Sequence, residues 1–338
     1  EPGINYITDS TTLTLINTYP ILNGTDVEVR YLPYTGEIAA STPSGTSYTF
    51  QGSSFGYASG GSANIINKFP FSSDTNATDV GDLTVVVADG SESSSSEHGY
   101  VAGGLLGSTN YTGTIQRFSF SSDGNASDIG SLINGVYNQN EGQSSGTHGY
   151  ASGGRPPNSV DFIEKYEFAS STNGIDVGEL SVPRTVAAGQ SSTSHGYVSG
   201  GHNRQTNTTL TSTEKFSFSS DSSGSSIGNL TSTSTEAGGV SSSTNGYSTS
   251  GRLTSSGSNK DTIDKFPFSS DTNATDVGEL AAVQKHAGHS STTHGYISGG
   301  ATNAAISSIR KFEYANEATN SEIGFLTSST FSVQGHQI

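Results

Sequence analysis

The sequence predicts an all-β chain: a six-bladed β-propeller preceded by a short β-hairpin segment. Three observations carry that expectation. A phrase of about 50 residues is written six times, three anchors keep one order in every copy, and each copy holds a double glycine or a close variant. Such a repeat is one small sheet that cannot bury its faces alone and stacks against its neighbours.

The first anchor, Gly-Tyr-x-x-Gly-Gly, sets its tyrosine at Tyr57, Tyr100, Tyr150, Tyr197, Tyr247 and Tyr296. The second, basic-aromatic-x-aromatic, starts at Lys68, Arg117, Lys165, Lys215, Lys265 and Lys311. The third, Val/Ile-Gly-x-Leu, ends at Leu83, Leu132, Leu180, Leu230, Leu280 and Leu326.

Taken in chain order, residues 1–50 form a segment of their own and residues 51–338 the propeller. In the first segment Leu13 and Leu15 alternate, Asn23-Gly24 is a hairpin turn, and Val27, Val29 and Tyr31 alternate on the return. In each blade a stretch of small residues, such as that from Ala187 to Thr193, suits a first strand at the crowded centre. A second strand follows over Tyr197 to Gly201, where the paired glycines need a positive φ or a close approach of main chains. The third strand alternates: Ile163 and Lys165 on one face, Tyr166 and Phe168 on the other. Next comes a polar loop of constant length, such as Ser73 to Asp79, whose Asp and Asn side chains are expected to fold back on their own amides. The Gly-x-Leu strand completes the blade.

Two connections vary in length: from the double glycine to the basic residue, and from Gly-x-Leu to the next blade. Gly61 to Lys68 is half the span of Gly201 to Lys215. In a four-stranded antiparallel blade both emerge on one side of the disc, which makes that side the expected binding face. The last residues, Phe331 to His336, match a first strand, whereas the chain enters its first unit near Phe55 with a second strand. The tail is therefore expected to complete the blade begun at Tyr57, removing exposed sheet edges.

Composition excludes several classes. A net charge of −16, from 14 basic against 30 acidic residues, leaves no basic stripe for a nucleic acid. Cys is absent, so disulfides and thiol chemistry are too. No run of about 18 apolar residues suggests membrane insertion. A chain without Met that begins at Glu1 reads as a processed product, with room for an upstream segment.

His98, His148, His195 and His294 occupy one equivalent place, interrupted by Phe55 and Asn245. Equivalent places on separate blades lie too far apart to share an ion, so these read as surface or turn histidines. His286, His289 and His336 sit nearer the first strands and offer only a weak metal set. The Asp74-x-Asn76-x-x-Asp79 loops have oxygen ligands but lack the charge count and distal Glu of an EF-hand, so they read as Asx turns without calcium. The recurring basic residue is expected to lay its stem on apolar surface and pair its head with a loop carboxylate such as Asp79, Asp128, Asp176 or Asp276. No phosphate loop, zincin motif or nucleophile elbow is present. The expectation is a non-enzyme with no cofactor, no bound metal and no catalytic residues.

The paired glycines, the aromatic strand after them and the hydrophobic anchor before the next blade resemble the kelch family over residues 55–338. That family carries a Trp near the places held here by Val80, Ile129, Val177, Ile227, Val277 and Ile323, and this chain has none. Smaller residues and the paired aromatics must then supply the wedge. Copper radical oxidases on that fold need a cysteine cross-linked to tyrosine, which this chain cannot make. More narrowly, Lys265 to Asp271, Asp276 to Leu280 and His294 to Gly300 resemble repeat proteins of marine bacteriophages, especially cyanophage virion and tail-fibre proteins.

That resemblance implies a virion or extracellular location, other virion or fibre subunits as partners and a homo-oligomeric assembly. It also implies a host-surface glycan held by the variable loops. Tyr111, Arg155, Asn203, Arg204, Arg252 and Lys260 are the candidate binding residues, since Tyr and Arg offer stacking surfaces and forked donors to sugars. The alternatives are a purely architectural block, with residues 1–50 as connector, and a carbohydrate-active enzyme whose carboxylates converge across the disc.

Overall fold

The computed structural model describes residues 5–8, 13–16, 50–107, 110–133, 142–155, 158–253 and 256–338. The chain divides into two units, Glu1–Ser44 and Gly45–Ile338. In the first, Asn5–Thr8 pairs antiparallel with Leu13–Ile16, Tyr6 opposite Leu15. The strand holding Leu13 and Leu15 thus folds back on the residues before it. The expected turn at Asn23-Gly24 and return strand to Tyr31 lie outside the described residues.

The second unit is a six-bladed β-propeller. Among the described residues, six four-stranded antiparallel sheets stand side by side. Blade 4 shows the plan: Ala188–Ser191 innermost, then His195–Ser199, Ser212–Ser217 and Ser225–Asn229 outermost. Blade 1 is assembled from both ends, Gln334–Gln337 pairing with Phe55–Ser59 so that His336 lies opposite Tyr57. Each innermost strand touches those of the blades on either side, and the last touches the first, so the ring is closed.

The anchors build the interfaces between blades. Each tyrosine lies directly across from the basic residue of its own blade, as in Tyr150 opposite Lys165. Across the interface it packs on both aromatics of the next blade: Tyr100 stacks on Phe168 at 4.5 Å and tilts on Tyr166 at 5.9 Å. Tyr197 meets Phe268 at 4.7 Å and Phe266 at 5.6 Å. Six buried clusters result, each drawing on two neighbouring blades. These aromatic trios fill the wedge without a Trp, each pair adding about 0.5–1.5 kcal/mol beyond area burial.

Close approach explains the glycines. In the Gly-Tyr pair a Cβ on Gly99, Gly149 or Gly196 would stand 2.3–2.4 Å from the ring of Phe118, Tyr166 or Phe216. In Gly-x-Leu a Cβ on Gly81 would meet the Gly124 carbonyl oxygen of the next blade at 2.3 Å, and on Gly228 that of Thr272 at 2.6 Å. The double glycines have positive φ, 67° and 92° at Gly200 and Gly201. Ser250, in the first glycine's place in blade 5, adopts φ 53° and donates its hydroxyl to the Ala281 carbonyl.

The polar loops depart from the sequence expectation. Asn125, Asn173 and Asn273 do not fold back on their own amides. They accept the backbone N–H of Asp82, Ser131 and Asn229 on the outermost strand of the preceding blade, each at 3.0 Å. The aspartates behave as expected: Asp79, Asp128, Asp176 and Asp276 cap the amide two residues on, at 3.2 Å. That leaves another acid for the basic anchor. Lys68, Lys165, Lys215, Lys265 and Lys311 pair with Asp123, Asp221, Asp271, Glu317 and Asp74, all one blade further on. Blade 3 carries Ser171 in the acid's place, so Arg117 has no such partner.

Candidate functional site

Backbone geometry sets the site at the axis, on the variable-loop face. The residue that leads into an innermost strand is left-handed at Asp89 (φ 54°), Val186 (54°), Glu236 (57°), Lys285 (56°) and Ser332 (57°). That conformation is uncommon outside glycine, and rarest for a β-branched residue such as Val186. Hydrogen bonds around the axis hold it: Asp89 N–H donates to Ser332 O, Ser332 to Lys285 O, Lys285 to Glu236 O and Glu236 to Val186 O, at 2.8–3.2 Å. The place in blade 3 lies outside the described residues.

These residues ring a small recess, open on one side and lined also by Glu92, Ala187, Ala237, His286 and Val333. Lys285 faces Glu236 across 3.6 Å and lies over the Phe331 ring at 5.7 Å. Three residues further along the chain, Gly189, Gly239, Gly288 and Gly335, with Gly142 in blade 3, face their neighbours, and in blade 2 Glu92 stands in the glycine's place. A Cβ on Gly288 or Gly335 would stand 2.0 Å from the carbonyl oxygen of the preceding blade, which is why the axis accepts little more than glycine there.

Three of the six residues singled out from the sequence lie near one another and near Glu236, although none of the three lines the recess. Arg204 of blade 4 lies within electrostatic reach of Arg155 from blade 3, Tyr111 from blade 2 and Glu236 from blade 5; burial, then the positive charge of Arg155, holds its pKa below the usual arginine value. A latch helps to place it, since Arg204 N–H donates to Ser159 Oγ, which donates to the His202 carbonyl. The other three are committed elsewhere. Asn203 is buried and caps its own turn at Gln205 and Thr206. Arg252 holds its own loop through the Gly257 carbonyl at 3.4 Å. Lys260 is buried against Asp264 and Ser232, both at 3.1 Å.

The histidines separate into two sets. His98, His148, His195 and His294 start the second strands on the opposite face, half buried, and burial holds each below the usual histidine pKa. His289 and His336 are fully buried wedges between blades. His289 Nε2 bonds Ser298 Oγ at 2.8 Å and Nδ1 reaches the His336 carbonyl at 3.3 Å. His336 bonds Ser59 Oγ and the Ser93 carbonyl at 2.9 and 3.1 Å. Gln143 and Gln190 hold the same place in blades 3 and 4, bonded to Ser152 and Ser199. Burial pushes His286 and His336 down to about 3 and His289 to about 4. Among the described residues no three His, Asp or Glu side chains come together to hold a metal.

Several structural residues escaped the sequence reading. Arg184 is wholly buried, paired with Glu214 and bonded to the carbonyls of Gly200 and Ser212 at 3.0 and 2.9 Å. Glu214 and its equivalents Asn67, Gln116, Glu164 and Asp264 accept the amide that follows Gly-x-Leu in the preceding blade. The acidic or amide residue just before five of the six basic anchors was a visible signal, Arg310 standing in that place in blade 6. Around the axis, Ser94, Ser144, Ser191, Ser241 and Ser290 accept the N–H of Gln337, Ser94, Ser144, Ser191 and Ser241 in turn.

No family model and no curated protein matches this chain. Among solved structures, one described as "Structure of YjhT" is similar over 75% of this chain and 88% of that chain, with a TM-score of 0.62 and 11% identity. At that identity the likeness is one of fold alone.

Proposed function

We propose that the protein is a non-enzymatic display protein, a bacteriophage virion or fibre component that holds a host-surface glycan on its variable-loop face. The observation that carries this reading is that Arg204 lies within electrostatic reach of Arg155 and Tyr111, from the two preceding blades, and of Glu236, which lines the axial recess. Aromatic and guanidinium groups together give a sugar a stacking surface and forked donors. A constant frame under loops of unequal length suits a scaffold whose specificity is altered without touching its core. The phage assignment is supported by the likeness of Lys265 to Asp271, Asp276 to Leu280 and His294 to Gly300 to marine phage repeat proteins. It brings other virion subunits and a homo-oligomeric assembly as partners, with residues 1–50 as the docking segment.

Incubating the purified chain with candidate host-surface polysaccharides tests the proposal. Binding without cleavage is the expected result, weakened by Arg204→Ala. Cleavage would replace the reading with a carbohydrate-active enzyme, and no interaction with an architectural block.

A further inference from the structure

We propose that the glycan held on the variable-loop face is acidic, and that Arg155 and Arg204 share one of its oxyanion groups, a carboxylate or a sulfate ester. The inference rests on the glycan reading and adds to it the charge of the ligand and the seat of that charge.

Two arginines without acids point to it. Every lysine of the chain sits against a carboxylate, as do Arg184 and Arg310. Arg117 turns to the Tyr100 hydroxyl on the opposite face, and Arg252 to its own loop. Arg155 and Arg204 have no carboxylate partner among the described residues; Arg204 is exposed and Arg155 partly so. Backbone bonds bring the two loops together. Arg155 follows Gly154, whose N–H donates to the Arg184 carbonyl at 2.8 Å. In the same loop Ser159 Oγ accepts the Arg204 N–H and donates to the His202 carbonyl, both at 3.0 Å, so the loop of blade 4 is tied to the one that carries Arg155. Asn203, buried beside it, caps the turn that follows. Two guanidinium groups thus stand within electrostatic reach of each other, and the charge of Arg155 adds to burial in holding the Arg204 pKa down. Like charges so placed repel until an anion comes between them.

The same chemistry selects among occupants. A neutral sugar leaves the two positive charges opposed, whereas a carboxylate or sulfate accepts from both guanidinium forks and cancels the repulsion. A nucleic acid asks for a track of cations, and elsewhere this chain neutralises most of its own. The net charge of −16 does not bar an acidic ligand, because distant acids are screened beyond about 8 Å at physiological ionic strength. Glu236, the acid within reach of Arg204, faces Lys285 across 3.6 Å. Tyr111, also within reach of Arg204, offers the sugar ring an aromatic face.

The test uses the full chain, isotope-labelled at nitrogen, titrated with alginate, dextran sulfate, uncharged dextran and inorganic sulfate while the side-chain Nε–H signals of Arg155 and Arg204 are followed. Arg155→Gln and Arg204→Gln assign the signals and keep the fold, since neither side chain is buried and the Arg204 latch runs through its backbone. The expected result is a saturable shift of both signals with alginate, which presents carboxylates, or with dextran sulfate, which presents sulfate esters, and none with dextran. Affinity should fall about tenfold or more in either variant. Lys215→Gln, the same change of net charge on the opposite face, should leave it unchanged. Undiminished affinity in the arginine variants overturns the proposal, as does an equal loss in Lys215→Gln or a pair of signals that no anion moves. Should a neutral polysaccharide bind while those signals stay still under every anion, the seat falls and the glycan reading stands. Shifts with inorganic sulfate but with neither acidic polymer support the seat and remove the glycan.

Discussion

Lowering the pH from 7 to 5 is expected to weaken the propeller through three buried imidazoles. His286, His289 and His336 have folded-state pKa values of about 3, 4 and 3, against 6.5 for a free histidine. A depressed folded pKa means that the unfolded chain binds the proton first, so stability is complete above about pH 6.5 and falls as the pH drops below it. At pH 5 the difference is about 1.5 pH units per histidine, roughly 2 kcal/mol each and about 6 kcal/mol together. Domains are typically stable by about 5–15 kcal/mol, so the loss is visible. Most carboxylates are still ionised at pH 5, which keeps the window free of their titration.

The repeat supplies its own control. Gln143 and Gln190 already fill in blades 3 and 4 the place that His289 and His336 fill in blades 6 and 1, against the same serine of the second strand. The double variant His289→Gln/His336→Gln should therefore fold and lose about two-thirds of the pH dependence, roughly 4 kcal/mol of the 6. Urea midpoints measured from pH 7 to pH 5 read this directly. His98, His148, His195 and His294 act in the same direction but are half exposed, so their share is smaller. An unchanged slope in the double variant, or a wild-type midpoint as high at pH 5 as at pH 7, would refute the reasoning.

Arg184→Met should cost about 3–5 kcal/mol, because Glu214 is left as a buried charge without its partner; calorimetry of single and double variants checks it, with Arg184→Met/Glu214→Leu recovering part of the loss. Lys215→Gln should cost no more than about 1 kcal/mol despite its 2.6 Å contact with Asp271, whose side chain is half exposed; a larger drop in the urea midpoint would give these outer pairs more weight than assigned here. Gly228→Ala should destabilise by about 1–3 kcal/mol, since its Cβ would press on the Thr272 carbonyl. A variant as stable as wild type would show that the loop can slide away.

The plan of one blade was open to inspection along the chain. Tyr57 and its copies, the basic-aromatic strands and Gly-x-Leu follow a spacing that only four short antiparallel strands satisfy, and the tail from Phe331 reads as the missing first strand of blade 1. The candidate site was legible in part. Tyr111, Arg155 and Arg204 stood out as loop residues, whereas Asn203 and Lys260 looked the same and turn out to be buried. Nothing local distinguishes them, because burial on this face depends on how the loop of one blade leans on the next. One signal was overlooked: wherever the second strand carries Ser59, Ser152, Ser199 or Ser298, the first strand carries His or Gln to meet it.

Taken alone, the sequence determined the blade, the number of blades and the closure of the ring, since alternation and turn chemistry act within a few residues of chain. Partners across blades were decided only by tertiary structure. Lys68 is nearer in sequence to Asp79, yet it pairs with Asp123, because Asp79 is used by its own turn and the ring brings the next copy of the loop alongside. His286 and Glu236 lie on neighbouring blades and border one recess at the mouth of the axis for the same reason. Repetition writes each blade locally, whereas the contacts between copies depend on the angle at which closed packing sets one sheet against the next.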